Sequence, residues 1–339
     1  MARKHRDRVV VVTGASAGVG RAVARAFGHE RAKLGLIART REALEEAARE
    51  IERAGGEALV LPLDVADAAA VEKAADEVVA RWGRIDVWVN DAMVSVFSPV
   101  KEMRAEEYRR VTEVDYLGYV HGTKAALRHM LPRDEGHVIQ IGSALVYRSI
   151  PLQSAYCASK AAIRGFTDSL RCELYHDESR VKVSMVQLPA VNTPQFDVVR
   201  SRLPNHPQPV PPIFQPEVAA RAVLWVADHP TRELRVGWSA VKAIVGQKLF
   251  PGLLDRYLGR VGYAAQQTDR PVSPGRPDNV DRWLPGDRGA HGDFDARAKG
   301  RSAGLWLRMN RRWIAGAAAV AVASAAAVAL LAGRRKLGA

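Results

Sequence analysis

Short apolar runs alternate with amphipathic segments over the first ninety residues of the chain. Four runs are rich in valine, leucine and isoleucine, as are strands buried on both faces of a parallel sheet: 9–12, 34–38, 58–63 and 85–90. Three segments between them have charged residues on one side and apolar residues at helical spacing: 19–31, 41–53 and 67–82. This order predicts an α/β fold, in which a doubly wound parallel sheet is covered by helices on both faces.

The same alternation continues in the second half of the chain, with one interruption. The interruption, residues 190–216, contains seven prolines, which exclude a regular helix or a central strand. A loop of this length in a folded domain is typically functional or mobile. Strands are predicted at 137–141, 181–187 and 234–236, and helices at 105–131, 154–176, 217–228 and 239–259.

The last eighty residues have a different pattern. Residues 264–304 hold four prolines and six glycines without an apolar period, which is typical of a linker. Residues 314–333 carry no charge, and twenty helical residues measure about 30 Å, enough to span a hydrocarbon core. Because eleven of these residues are alanine, the alternative is a helix packed on the domain or on a partner. The sequence therefore predicts four parts: a domain over 1–260, a polar linker over 261–312, a transmembrane helix over 313–333 and a basic tail over 334–339.

Charge is distributed unevenly along the 339 residues. The formal net charge is +13, but nine positive charges and no negative ones lie from residue 297 onward, so the first 296 residues carry only +4. A basic tail beside an apolar run favours a membrane surface over a nucleic acid as partner. Two cysteines, Cys157 and Cys172, cannot form a disulfide framework and indicate a reducing compartment. No histidines or cysteines have metal-ligand spacing, so no metal is expected.

A glycine-rich turn, TGASAGVG over 13–20, lies between the first strand and the first helix. Glycine permits a sharp turn and a close approach of the backbone to a pyrophosphate, and the helix N-terminus supplies N–H donors. This turn resembles the cofactor motif of the short-chain dehydrogenase/reductase family, and the resemblance covers residues 8 to about 240. It implies a Rossmann fold and nicotinamide-dinucleotide binding at these residues of the turn: Gly14, Ser16, Gly18, Val19 and Gly20.

Arg39 follows the second strand, where an NAD site has a carboxylate for the ribose hydroxyl. A guanidinium suits a 2′-phosphate, so we expect NADP(H) rather than NAD(H). The resemblance implies further cofactor contacts after the third, fourth and sixth strands: Asp64 and Val65, Asn90 and Ala92, and Pro189 and Thr193. Two positions depart from the family pattern, since Met93 and Ala190 stand where glycine is usual.

Tyr156 and Lys160 are spaced i, i+4 on a predicted helix and therefore share a face, and Ser143 ends the preceding strand. A phenol can donate a proton to a developing alkoxide, and a neighbouring ammonium lowers the pKa of a phenol. A serine can hold the substrate oxygen by a hydrogen bond. The resemblance assigns these three roles, and it also assigns Lys160 and Tyr156 to cofactor binding. Asp115 stands where the family has a catalytic asparagine, which puts the proton relay in doubt.

Together these patterns predict an NADP(H)-dependent oxidoreductase that transfers a hydride between nicotinamide and a small carbonyl or alcohol substrate. The apolar residues of the proline-rich loop, Leu203, Val210, Ile213 and Phe214, fit a lipophilic substrate and fit equally well a loop that packs on its own domain. The alternatives are an epimerase or dehydratase on the same scaffold, or a catalytically weak NADP-bound membrane scaffold or sensor. We expect a homo-oligomer, a dimer or a tetramer. The protein is expected at a membrane with the catalytic domain in the cytoplasm, the alternative being a soluble cytoplasmic protein.

Overall fold

Seven parallel strands form the central sheet of the computed structural model, which describes residues 5–311 except 274, together with 313, 314 and 316. Their order across the sheet is β7-β6-β5-β4-β1-β2-β3, so the chain winds outward twice from β1. The predicted α/β class and doubly wound sheet are confirmed. The strands are β1 (Val9–Thr13), β2 (Lys33–Ala38), β3 (Glu57–Pro62), β4 (Val87–Asn90), β5 (His137–Ser143), β6 (Lys182–Leu188) and β7 (Glu233–Arg235).

Helices cover both faces of the sheet because successive side chains of each strand point in opposite directions. In β1, Val10 and Val12 pack in the apolar cluster on one face of the sheet, whereas Val9 and Val11 pack in the cluster on the other face. The helices are α1 (Gly18–His29), α2 (Arg41–Arg53), α3 (Ala68–Trp82), α4 (Ala105–Thr112), α5 (Gly118–Met130), α6 (Ser154–His176), α7 (Pro216–Asp228), α8 (Ser239–Leu249), α9 (Pro251–Ala265) and α10 (Ala303–Met309).

Two helices predicted as single elements are divided. The helix expected over 105–131 is interrupted by a π-helical turn at Glu113–Leu117, which carries Asp115 toward the sheet. The helix expected over 239–259 breaks at Phe250, because Pro251 begins a new helix and cannot continue the old one. Within the proline-rich stretch 190–216 there are short pieces: strands Ala190–Val191, Arg200–Ser201, Asn205–Pro207 and Ile213–Phe214, and a helical turn at Gln195–Val198.

Residues 267–309 lie within the region expected as a linker, and they pack against the domain. A strand at Gln267–Pro271 pairs antiparallel with Asn205–Pro207. Val280, Phe294 and Leu305 are buried although their surroundings in sequence are polar. The structure therefore differs from the expected linker, since this segment is fixed on the domain. Isolated apolar side chains and many hydrogen bonds hold it there, and neither produces an apolar period in the sequence. The expected boundary at residue 260 falls inside α9.

The predicted transmembrane helix over 313–333 lies outside the described residues except at 313, 314 and 316, and the basic tail over 334–339 lies wholly outside them. Among the helices that the structure describes, none has the length and apolar character needed to cross a membrane.

Candidate active site

A cavity of about 590 Å³ opens at the carboxyl ends of the strands. This is the edge of a doubly wound sheet where ligands bind, outside the reversal of strand order at β1 and β4. Thirteen residues proposed from the sequence line it together: Gly14, Ser16, Gly18, Val19, Arg39, Asp64, Val65, Ala92, Ser143, Tyr156, Lys160, Pro189 and Thr193.

Three other residues proposed from the sequence do not line the cavity. Gly20 lies one turn into α1, where an added Cβ would stand 2.3 Å from the carbonyl oxygen of Gly14. Asn90 is fully buried and its amide donates to Gln140 Oε1 at 2.9 Å, which ties β4 to β5. Asp115 lies behind the cavity wall. Gly20 and Asn90 therefore shape the site through packing in this structure.

The glycine-rich turn is fitted to a close approach by a phosphate-bearing ligand. Gly14 and Gly18 have positive φ angles of 75° and 57°, which side-chain-bearing residues rarely adopt. A Cβ at Gly14 would lie 3.0 Å from the backbone of Ala92. Ala17 at the N-cap of α1 makes no side-chain cap, and the positive end of the helix dipole lies at this turn. The residues present therefore fit a dinucleotide pyrophosphate.

Arg39 lies at the far end of the cleft, half-buried after β2. Its guanidinium donates to the backbone carbonyl oxygens of Asn279 and Val280. Burial lowers the pKa of Arg39, and the nearby carboxylate of Asp64 opposes that shift. Asp64 itself forms an ion pair with Arg110. This end of the cleft therefore carries positive charge and has no free carboxylate on Asp64 for a ribose hydroxyl.

Ser143, Tyr156 and Lys160 meet at the middle of the cavity. Ser143 ends β5, and the other two residues lie one turn apart on α6. The side chains of Ser143 and Tyr156 are hydrogen bonded. Lys160 Nζ donates to the hydroxyl oxygen of Tyr119 at 2.8 Å and to the carbonyl oxygen of Ile141 at 3.0 Å. It lies 5.7 Å from the centre of the Tyr156 ring. The spacing in the sequence thus corresponds to one constellation in space.

Burial dominates the electrostatics of this constellation. It raises the pKa of Tyr156, with the hydrogen bond to Ser143 acting in the opposite direction. The expected lowering of this pKa by Lys160 is thus not seen, because the ring is desolvated. Burial also lowers the pKa of Lys160, and the carboxylates of Asp115 and Asp91 oppose that shift. Tyr156 is therefore a neutral phenol near pH 7, which is the form that can donate a proton.

Two buried carboxyl groups accompany Lys160. Burial raises the pKa of Asp91 to about 7 and that of Asp115 to about 7, and Lys160 opposes both shifts. Asp115 Oδ1 accepts from the Val94 N–H at 2.8 Å, and its Oδ2 has no partner among the described residues. Lys160 thus lies near two carboxyl groups, Asp91 in the wall of the cavity and Asp115 behind that wall.

Sequence reasoning missed three contributors to the site. The sequence shows Asp91 as an acidic residue directly after the fourth strand, and a charged residue is unusual at the end of a buried strand. Tyr119 follows Asp115 by four residues on the same helical face, which was a usable signal. Residues 278–289 cross the cleft, and their polar sequence contains no periodic signal for this position.

The remaining wall of the cavity is mainly apolar. It comes from the loop after β5, from the proline-rich stretch, from α9 and from the C-terminal segment. Its larger side chains are Leu145, Ile150, Phe196, Val210, Leu254, Tyr257, Leu258, Trp283 and Leu284. Cys157, next to Tyr156, is buried and does not line the cavity. Within the described part of the chain no group of acidic, histidine and cysteine side chains could hold a metal ion.

Comparison with known proteins agrees with this site. The family described as short chain dehydrogenase matches residues 8–203. An uncharacterized oxidoreductase of Bacillus subtilis (strain 168), YxnA, is 34% identical over 274 residues, which cover 80% of this chain and 77% of that protein. The chain therefore belongs to the short-chain dehydrogenase family, and it is an oxidoreductase of that family.

Solved structures give the same answer for the fold. An alcohol dehydrogenase from the archaeon Thermococcus sibiricus, complexed with 5-hydroxy-NADP, has a TM-score of 0.58 at 28% identity and covers 68% of this chain and 96% of that one. A metagenomic short-chain oxidoreductase in complex with NADP has a TM-score of 0.58 at 30% identity and covers 69% of this chain and 97% of that one. These neighbours support a nicotinamide cofactor.

Proposed function

We propose that the protein is an NADP(H)-dependent oxidoreductase acting on a carbonyl or alcohol carbon. The observation that carries the proposal is the cavity that joins Ser143, Tyr156 and Lys160 to the glycine-rich turn and Arg39. The NADP complexes of the two structural neighbours support the choice of cofactor. When bound, the nicotinamide supplies or accepts the hydride. Arg39 selects NADP(H) because its remaining N–H groups can contact a 2′-phosphate.

The residues of the chain have distinct tasks in this reaction. Ser143 Oγ holds the substrate oxygen by a hydrogen bond. Tyr156 gives its phenolic proton to that oxygen during reduction and takes it back during oxidation. Lys160, held by Tyr119 and the Ile141 carbonyl, places a positive charge near the phenol and stabilises the phenolate that remains after proton transfer. Because burial raises the pKa of Tyr156, the proton-donating form, which reduction of a carbonyl requires, prevails at neutral pH.

The substrate that we propose is lipophilic. Leucine, phenylalanine and tyrosine side chains line the rest of the cavity, and removing apolar substrate surface from water there is worth about 25 cal/mol per Å². The test is a panel of aldehydes and ketones of increasing chain length, followed by NADPH absorbance. KM should fall as the chain lengthens, at nearly constant kcat. Activity confined to small polar carbonyls would contradict the lipophilic assignment.

The proton donor is tested by Tyr156→Phe, which should reduce kcat about 10²–10⁴-fold. The NADPH dissociation constant should stay within about twofold of the wild-type value, because the change removes one hydroxyl and leaves the phosphate-binding residues in place. Tyr175→Phe is the matched control, since Tyr175 is an exposed tyrosine on the same helix. If Tyr156→Phe turns over a validated substrate at the wild-type rate, Tyr156 is not the proton donor.

We also propose that the uncharged stretch after residue 313 attaches the protein to a membrane. Two exposed tryptophans, Trp306 and Trp313, and several arginines precede it, as is usual at a membrane interface. Val322→Arg should release the protein into the soluble fraction, because a central arginine costs about 2.5–3.5 kcal/mol of insertion. Val322→Leu is the control. Release of the wild type by a carbonate wash would contradict the anchor.

A further inference from the structure

A stretch of the C-terminal region, residues 278–289, covers the dinucleotide cleft and is called here the roof segment. At one end, the carbonyl oxygens of Asn279 and Val280 accept from Arg39. At the other end, the carbonyl oxygen of Gly289 accepts from the Gly18 N–H at 3.0 Å. The roof segment therefore spans the cleft from the position expected for a 2′-phosphate to the glycine-rich turn.

The end of the roof segment next to the glycine-rich turn is fixed by an ion pair and hydrogen bonds. Asp287 Oδ1 lies 3.1 Å from Nη1 of Arg21, a fully buried arginine whose Nε also pairs with Glu50 at 2.9 Å. The N–H of Gly289 donates to the same Asp287 oxygen at 3.2 Å. The residues on both sides of position 288 are therefore held against α1.

Arg288 lies between these two anchored residues and lines the cavity. It makes no ion pair or hydrogen bond with any residue that the structure describes, whereas most arginines of the domain are paired. The Gly18 N–H of the turn is already taken by the Gly289 carbonyl oxygen, so Arg288 adds a full positive charge at the N-terminus of α1, where the helix dipole also favours an anion. This combination suits a dianion such as a pyrophosphate.

We propose that Arg288 is a cofactor-binding residue that contacts the pyrophosphate of the bound dinucleotide. The assignment rests on the proposed function, because it presupposes a dinucleotide in the cleft. Since Asp287 and Gly289 already fix the backbone on either side, ordering the side chain costs less than it would in a free loop. The roof segment thereby completes the cofactor site from a part of the chain outside the matched family region, residues 8–203.

The test measures dissociation constants of NADPH and NADH by titration calorimetry on the full-length chain. Arg288→Gln should weaken binding of both cofactors about ten- to hundredfold and by the same factor, because both carry the pyrophosphate. Arg282→Gln is the matched control, since Arg282 is an exposed arginine of the same segment that does not line the cavity. Arg288→Lys should recover part of the affinity, because it restores the charge without the planar fork.

The outcomes separate this assignment from the proposed function. Failure of the wild type to bind either dinucleotide would overturn the proposed function. Wild-type binding with unchanged affinity in Arg288→Gln would overturn the Arg288 assignment alone. A loss confined to NADPH would also overturn it, since the contact would then belong to the 2′-phosphate. Near-UV circular dichroism identical to that of the wild type ensures that a loss of affinity reports the contact rather than the fold.

Discussion

The sheet domain and the C-terminal segment 267–309 both pack tightly, but different interactions hold them. Every residue of β1 is buried, and its valine side chains belong to two apolar clusters, one on each face of the sheet. The C-terminal segment buries few apolar side chains, and polar contacts fix it. Arg200, for example, lies 2.9 Å from Asp278 and 2.6 Å from Asp281. A segment without hydrophobic periodicity can thus take a defined position when another surface supplies the partners for its polar groups.

The largest expected effect is on the free energy of unfolding, when a buried phenylalanine is replaced by alanine in each region. Phe27→Ala in α1 and Phe294→Ala in the C-terminal segment should each lower the free energy of unfolding by about 3–5 kcal/mol. Phe27 is fully buried, and Phe294 is 6% exposed and packs edge to face on Phe196 with ring centres 5.8 Å apart. Denaturant unfolding gives both values. A cost near zero for Phe294→Ala would mean that the segment is free in solution.

A smaller effect, on cofactor affinity, is expected from Arg39, which joins the sheet domain to the C-terminal segment. Arg39→Ala should weaken NADPH binding about ten- to hundredfold, because a charge-assisted contact to the 2′-phosphate is lost. NADH binding should change little. Arg41→Ala is the control, since Arg41 is exposed and lies 3.8 Å from Glu45 on the same helix. Equal wild-type affinities for the two cofactors would refute the expected preference.

Two further effects concern pH, and they run in opposite directions in the two regions. Burial raises the pKa of Asp115 from 3.8 to about 7, so its contribution to stability is complete below 3.8 and is lost as the pH rises through 7. Asp115→Asn should remove this fall in unfolding free energy, which for one group is at most about 1.4 kcal/mol per pH unit. Asp177→Asn, at an exposed site after α6, is the control.

In the C-terminal segment, the hydrogen bond from Arg200 lowers the pKa of Asp281. Its contribution to stability is therefore present above the ordinary carboxyl pKa and is lost as the pH falls through the lowered value. Hydrogen exchange measured at decreasing pH should show loss of protection in residues 278–289 before β1 and β4. Simultaneous loss in both regions would indicate one cooperative unit.

The two regions also differ in how much of them could be predicted from sequence. The strands of the sheet and the site residues at their ends are predictable because burial on both faces forces continuous apolar runs such as Val9–Val12. The positions of Ser143, Tyr156 and Lys160 followed from strand end and helical spacing. Asn279 and Val280 could not be placed, because their contacts with Arg39 use backbone carbonyls, which every residue has. The raised pKa of Tyr156 depends on burial, which spacing alone does not specify.

The pairing of Gln267–Pro271 with Asn205–Pro207 has a consequence for the exchange of ligands. The N–H of Asn279 in the roof segment also donates to the carbonyl oxygen of Val198 at 2.9 Å. The C-terminal segment 267–309 is therefore joined at two places to the proline-rich stretch, whose residues 208–212 line the cavity. A dinucleotide bound as proposed cannot leave past the roof without loosening the wall that also confines the substrate. We therefore expect the residence times of the two ligands to be coupled through one opening motion.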